Sequence, residues 1–571
     1  MRPRIAVLAL TALVGAMLAA APTATAATLC VGSQPGCFAT IQAAVDVAAD
    51  GDSIVIAPGT YAGGVTIDTS IALAGAGADR TVIRGGGPVL TIGEFGAAHE
   101  PTVSIDGVTI TGGVTRSSPQ SVPFTGQEGI VALGGGVEIP PNSDFSGGAT
   151  VTISNSVISG NKVAPTDAGP FGPDCPHGPC PFAFAGGGGI DSWGTLTVVH
   201  TAVTGNRIGS ASGLSSLASD VDGAGIESQL GPLTISESAI NGNRASATGP
   251  NARFAEGGAV KADGGPVAIT GSSVTDNHAA LDASLPSSVE QLAVGGGVKL
   301  SGGVSSARIR DTVLSGNSIS MTNTRGAAVA FSGGLHVDLG VDFRMSDAVI
   351  ADNRVSSATL PGSHADAEGD TGGGALLGSV TNTRLTGNSV EVSSSAGDAT
   401  AAAGASFFVG SLSNSQASGN SVRASSPRGT AYVAGGGLVI DEGGATLRNT
   451  TISGNTGNAS GREGAAQGGG IFDGSLFSNG GPLSLVNSRV TGNALTGASG
   501  IVLHGGGLYI GDQPVTLAST VIAQNTPDDC FGCKAAIASQ TGLVPKARWH
   551  RLHKGRSRAP LMTTLPRAPS R

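Results

Sequence analysis

Gly187-Gly188-Gly189-Ile190, then Leu196-Thr197-Val198, then Val203-Thr204-Gly205-Asn206 make one unit of this chain, residues 187–206. Its closing phrase recurs with the Asn at Asn161, Asn206, Asn243, Asn277, Asn317, Asn353, Asn388, Asn420, Asn455, Asn493 and Asn525. Three places before each Asn stands Ile, Val or Leu, save for Ala417. The opening phrase recurs too, as Gly134-Gly135-Gly136-Val137, Gly295-Gly296-Gly297-Val298, Gly435-Gly436-Gly437-Leu438, Gly468-Gly469-Gly470-Ile471 and Gly505-Gly506-Gly507-Leu508. A fixed phrase at a loose period of 32 to 45 residues is one structural coil repeated, with connections of variable length. Alternation over three to five residues, bounded by Gly and Asn, marks short strands with one buried face. Such strands, repeated in register, stack as the parallel sheets of an all-β, right-handed parallel β-helix solenoid.

Each Asn side chain tolerates the left-handed backbone of a sharp bend. Its amide can also donate to and accept from the Asn of the next coil. A second polar column lies six residues earlier: Asn155, His200, Glu237, Asp311, Asp347, Asn382, Asn414, Asn449 and Asn487. It reads as the preceding bend, and both columns read as structural. Eleven Asn coils and two or three earlier ones, at about 4.8 Å each, give a rod about 65 Å long. The mean repeat exceeds what three strands and their turns need. The Ala- and Ser-rich Asn-to-Gly segments are therefore expected to leave the barrel as loops.

The chain has 571 residues, 93 of them Gly, with only 12% charged and 4% aromatic. Aliphatic side chains must fill the core. The net charge of -9 is uneven. Residues 534–571 carry Lys534, Lys546, Arg548, Arg551, Lys554, Arg556, Arg558, Arg567 and Arg571 and no acid, so the remainder is strongly acidic. An acidic body argues against a nucleic-acid partner. The basic tail reads as disordered, and its charge suits anionic cell-wall polymers.

Arg2 and Arg4, an apolar run from Ile5 to Ala21, and Ala24-Thr25-Ala26 form a secretory signal, placed at 1–26. No transmembrane segment is expected in the mature chain. A segment 27–37 precedes the solenoid, placed at 38–533, and the tail follows. Three close Cys pairs, Cys30/Cys37, Cys175/Cys180 and Cys530/Cys533, combine with the export signal to indicate three local disulfides. Cys530 and Cys533 form a CxxC, but no second CxxC or suitably spaced His completes a zinc set. Ile41, Ala44, Val45 and Ala48 form one apolar stripe of a short helix, fit to cap the open core. Strands are expected at Ser53–Ala57, Val65–Ile67, Ile71–Ala74 and Thr81–Ile83.

Ala39-Thr40-Ile41-Gln42-Ala43-Ala44-Val45, followed by Gly51-Asp52-Ser53-Ile54-Val55-Ile56-Ala57-Pro58-Gly59-Thr60-Tyr61, resembles the opening of bacterial secreted β-helix proteins of the pectin-lyase-like superfamily. The Gly-Gly-Gly-Ile and Ser-Gly-Asn phrases resemble repeats of that group, which overlap those of polymorphic outer-membrane proteins. Asn525-Thr526-Pro527-Asp528-Asp529-Cys530 resembles the way such arrays end. The resemblance implies the fold over about residues 38–533. It does not select a function, because the superfamily spans lyases, glycosidases, epimerases and adhesins.

Chemistry is sought in the residue that follows the apolar residue of each Gly cluster. That column runs Glu138, Asp191, Glu227, Lys261, Lys299, His336, Leu376, Phe407, Val439, Phe472, Tyr509. Strand alternation points it outward. Adjacent carboxylates there can hold Ca²⁺ or share a proton, and Lys261 or Lys299 can serve as the base of a lyase. Asp366, Glu368 and Asp370, in an expected loop before Gly372, are a second candidate Ca²⁺ set; Asp220 and Asp222 repeat it in weaker form. No polygalacturonase-type Asp set, Ser-His-Asp set or phosphate loop is visible. Aromatic sugar platforms are scarce, with Trp193, Trp549, Tyr61, Tyr432 and Tyr509 beyond Phe. The expected function is a secreted, non-catalytic scaffold contacting polysaccharide or the cell envelope, with no cofactor beyond a Ca²⁺ ion. The alternative is a polysaccharide lyase or glycosidase acting on an acidic polysaccharide.

Overall fold

The computed structural model describes residues 26–533 except 98–99, 117, 123–126, 165–173, 176–177, 180–181, 210–217, 250–251, 285, 287–290, 362, 475–480 and 512. It is an all-β parallel solenoid. One coil shows the plan. Val260–Ala262 and Gly265–Thr270 enter a 26-stranded sheet, Ser273–Thr275 a 14-stranded sheet, and His278–Ala283 with Leu292–Val294 a 21-stranded sheet. Each strand pairs in parallel with its counterpart one coil on, through Val260↔Val298, Val267↔Ala307, Val274↔Leu314, Ala279↔Ile319 and Ala293↔Ala330. The 14-stranded sheet counts the coils. Eleven carry the Asn phrase and three precede them, as the repeat length requires.

One core runs the length of the array and a second runs beside it from Ala132 to Leu495. The main tube holds Ile, Val and Leu, including Ile158, Val203, Ile240 and Leu314, all buried. The second core is lined largely by Ala: Ala245, Ala247, Ala252 and Ala255 belong to a single coil. It corrects the expectation that the Asn-to-Gly segments are loops. Where described, these segments are mostly an outgoing and a returning strand, such as Arg244–Thr248 and Ala252–Glu256. Their small side chains face each other and close a thin lobe beside the tube. A Cβ added at Gly369 on a returning strand would sit 2.6 Å from Val392 and 3.3 Å from Val390 on an outgoing one, so the layers are in direct contact.

The bends divide their labour differently from the sequence expectation. Asn161, Asn206 and the rest of that column do not take the left-handed conformation. The residue before each does: Gly160 (φ 64°), Gly205 (φ 64°), and even Asp276 (φ 56°) and Asp352 (φ 54°). The Asn is freed to build the ladder. Asn206 Nδ2 donates to Asn243 Oδ1 at 3.0 Å and to the carbonyl of Ile158 at 2.9 Å, while Asn243 Oδ1 also accepts from the Asn206 amide. The pattern repeats from Asn161 to Asn525, where Asp529 Oδ1 ends it by accepting from Asn525 Nδ2 at 3.0 Å. The earlier polar column is the left-handed one, from Asn155 (φ 48°) to Asn487 (φ 51°).

At the N-terminal end a helix spans Ile41–Val45, with Thr40 Oγ1 accepting from the Ala43 amide at 3.2 Å. Ile41, Ala44 and Val45 are buried in the main core and Ala48 packs against it. Strands follow at Ser53–Ile56, Val65–Ile67, Ala72–Gly75 and Thr81–Arg84, close to the expected bounds. Sheet pairing starts ahead of residue 38, because Thr28–Val31 pairs with Ser53–Ile56.

Of the three expected disulfides the structure shows two, Cys30–Cys37 and Cys530–Cys533. The third differs from that expectation in standing: Cys180 lies outside the described residues, and so does the side chain of Cys175. The bond expected between Cys175 and Cys180 is therefore not among the disulfides shown. The signal at 1–26, apart from Ala26, and the tail at 534–571 also lie outside the described residues. Among the described residues no helix is long and apolar enough to cross a membrane.

Candidate functional site: a buried column of ionisable side chains

The lobe and the tube meet at an inside corner in the coils that carry a lobe. The returning strand of the lobe ends at the Gly cluster, and the chain turns there into the first strand of the next coil. The corner residue is left-handed: Gly187 (φ 61°) and Gly223 (φ 59°), with Ser332, Thr371 and Ala403 in the same conformation. A Cβ at Gly187 would lie 2.6 Å from Asp191 Cβ, so the turn folds back onto the candidate column.

The sheet register brings the candidates together. Glu138 pairs with Asp191, Asp191 with Glu227, Glu227 with Lys261, Lys261 with Lys299, and Lys299 with His336. The next member is Ala375, not Leu376, because Gly374 takes the place of the apolar residue opposite Leu335. Leu376 belongs to the main core. The column faces away from the tube, as alternation requires, yet it is not a solvated face. Asp191 and Glu227 are fully buried, and Lys261, Lys299 and His336 are buried too. The lobe covers them, and its strands are the segments that composition alone marks as loops.

Burial governs the charge states. Glu138 is pushed up to about 7 by burial. Burial, then the neighbouring Glu138 charge, holds Asp191 well above the carboxylate range. Burial, then the charges of Asp191 and Asp222, does the same to Glu227. Glu227 Oε1 accepts from Gln229 Nε2, and Glu227 Oε2 occupies the space that a Cβ at Gly186 would fill. The next coils are ionic. Lys261 Nζ lies 2.5 Å from Asp222 Oδ2 and 3.2 Å from both Glu256 Oε2 and Asp263 Oδ2. Lys299 Nζ lies 2.8 Å from Glu256 Oε1. Burial opposes ionisation of Glu256, but Lys299 and Lys261 outweigh it and bring it down to about 2. His336 shares hydrogen bonds with Asp338 Oδ1 at 2.9 Å and Ser332 Oγ at 2.8 Å, and Ser332 Oγ with Thr371 Oγ1 at 2.8 Å. Further along, the column turns aromatic, with Phe472 stacked on Tyr509 and Tyr509 on Phe531.

Sequence reasoning missed Glu256, Asp263, Asp338 and Ser332. A signal existed at fixed offsets: the residue before the Gly cluster, the first of the cluster, and two places after the column. Asp366, Glu368 and Asp370 do not form an ion-wrapping loop. Asp366 Oδ1 accepts from the Asp398 amide at 2.8 Å, and the other two lie on the strand Ala367–Asp370. An extended backbone sets their Cα atoms roughly 6.6 Å apart. Burial, then Asp366, pushes Glu368 up to about 7. Among the described residues no three His, Cys, Asp or Glu side chains are grouped to hold a metal ion.

Chemically, the column stores protons at one end and fixed ion pairs at the other. Asp191 and Glu227 are both held protonated well above the usual carboxylate range, beneath the lobe. No protein-family model matches the chain, and no curated protein matches it either.

Proposed function

We propose that the protein is an exported, non-catalytic scaffold of the right-handed, pectin-lyase-like kind, which presents its sheet faces for contact with polysaccharide or the cell envelope. One observation carries this reading: the basic side chains best placed for catalysis, Lys261 and Lys299, are buried and locked into ion pairs with Asp222, Glu256 and Asp263. Lys261, the strongest candidate base, is held in its charged form: burial opposes the charge, but Asp222, Asp263 and Glu256 outweigh it. A lysine locked into three ion pairs is a poor proton acceptor. The Arg2/Arg4 signal with Ala24-Thr25-Ala26, and the local disulfides, support export.

The alternative, an acidic-polysaccharide lyase or glycosidase, draws on Asp191 and Glu227, adjacent carboxyls that both ionise above the usual range. The two readings separate in one assay. The secreted protein is incubated with acidic and neutral polysaccharides, with and without Ca²⁺, and unsaturated products and reducing ends are followed. The scaffold reading expects neither. Turnover that disappears in Glu227→Ala or Lys261→Ala overturns it.

A further inference from the structure

The two ends of the solenoid are finished differently. At the first coil the helix Ile41–Val45 buries Ile41, Ala44 and Val45 over the main core. At the last coil no such cover exists among the described residues. Val515–Ala518 pairs with Leu483–Val486 and Val521–Ala523 with Arg489–Thr491, and among the described residues neither pairs on its far side. The core is open at the same place. Leu483, Leu485 and Val490 are buried in one coil, while their counterparts Val515, Leu517 and Ile522 in the next are only partly buried. An unpaired edge over a half-covered apolar core is a template for one more strand.

The chain itself carries the complement. From Leu438 the inward residues of the coil follow after 7, 9 and 14 residues, at Ala445, Leu447 and Ile452. From Leu508 they follow after the same intervals, at Val515, Leu517 and Ile522. Cys530 is the in-register counterpart of Leu508. Counted from Cys530, the same intervals reach Ile537, Ser539 and Val544. Thr541-Gly542 arrive where Ser519 makes its left-handed bend (φ 50°). Residues 535–544 carry no charge, unlike the basic stretch from Lys546 onward. Beyond Val544 the coil cannot go on. Pro545 has no amide hydrogen to donate, and Ala547 stands where the ladder Asn is due.

We propose that residues 535–544 dock on the open C-terminal end as one further, partial coil, with residues 537–540 laid in parallel beside Val515–Ala518 and Val544 over Ile522. The Cys530–Cys533 disulfide fixes the point from which the segment leaves, with only Lys534 between. The segment therefore meets the edge at a high effective concentration. A second rod is the weaker occupant, because its body carries the same strong negative charge. The solenoid then ends at 544 and not at 533. The edge that would otherwise join rods end to end is taken by the chain's own residues.

Amide hydrogen exchange of the full exported chain, read by mass spectrometry at two protein concentrations a factor of ten apart, tests this. Amides in 537–544 should exchange at least tenfold more slowly than those in 560–571, and equally so at both concentrations. The variant Ile537→Asp/Val544→Asp should abolish that protection. It should also speed exchange in Val515–Ala518, which loses its cover, and leave the amides around Asn317 unchanged. Exchange of 537–544 at the rate of 560–571 in the parent chain overturns the proposal. Protection that disappears on dilution, together with a halving of the mass seen by light scattering, also overturns it and assigns the open end to a second copy. Protection that survives Ile537→Asp/Val544→Asp overturns the register.

Discussion

Asn317 shows what one residue does in this molecule. Its Nδ2 donates to Asn353 Oδ1 at 3.0 Å and to the Val274 carbonyl at 2.9 Å, and its Oδ1 accepts from both the amide and the side chain of Asn277. Asn317→Leu removes all of these at a fully buried site. The expected loss is about 1–3 kcal/mol or more, since neighbouring groups stay buried without partners. Urea unfolding of the variant measures it, and an unchanged midpoint contradicts a continuous ladder. The buried carboxyls make a second prediction at this scale. Glu138, Asp191 and Glu227 have folded pKa values above their unfolded ones. The unfolded chain therefore releases their protons first, and stability falls as pH rises from about 4.5 through 7. Facing them are Asp222, Asp263 and Lys261, together with Trp193 and Gln229. Glu256 and Asp338, both lowered to about 2, act in the opposite sense and withdraw stability only in strong acid. Unfolding free energy should fall as pH rises from 5 to 8. Glu227→Gln should flatten that slope.

At the scale of the element, the tube could be read from the sequence and the lobe could not. Ile158, Val203 and Ile240 are large, regularly spaced and bounded by Gly and Asn, so their burial follows from pattern alone. The lobe strands carry Ala245, Ala247, Ala252 and Ala255, whose apolar signal is weak and whose Ser neighbours resemble loop composition. Only the contact between two such strands makes Ala sufficient as a core. The candidate column was legible in position for the same reason that its burial was not: alternation fixes which way a side chain points, but a missing lobe leaves it in water. Leu376 was misplaced because Gly374 slips the phrase by one residue. The thinness of the lobe has a measurable result. Ala255→Leu forces extra methylenes between the two layers and should cost about 1–3 kcal/mol, read by thermal unfolding. The same change at an outward site such as Ser246 should be nearly silent.

The whole molecule is quasi-one-dimensional, since each coil touches chiefly the one before and the one after. Damage should therefore stay local. Cys30–Cys37 and Cys530–Cys533 sit at the first and last strands. Replacing either pair with Ser should raise amide exchange in the adjacent terminal coil and leave the central coils, around Asn317, protected. Uniform acceleration along the array contradicts this nearest-neighbour behaviour.

The Asn ladder has one more consequence. Each of the eleven Asn coils begins and ends on the same side chain, so the ladder at the joint between them is indifferent to which coil lies on either side. Copy number can thus change without any new interface being invented. Excising 318–353 would splice Asn317 to Arg354, leaving Asn317 to donate to Asn388 Oδ1 the bonds that Asn353 now donates. The product is a rod shorter by a single strand spacing, and the number of phrases in such a gene acts as a ruler for the length of its protein.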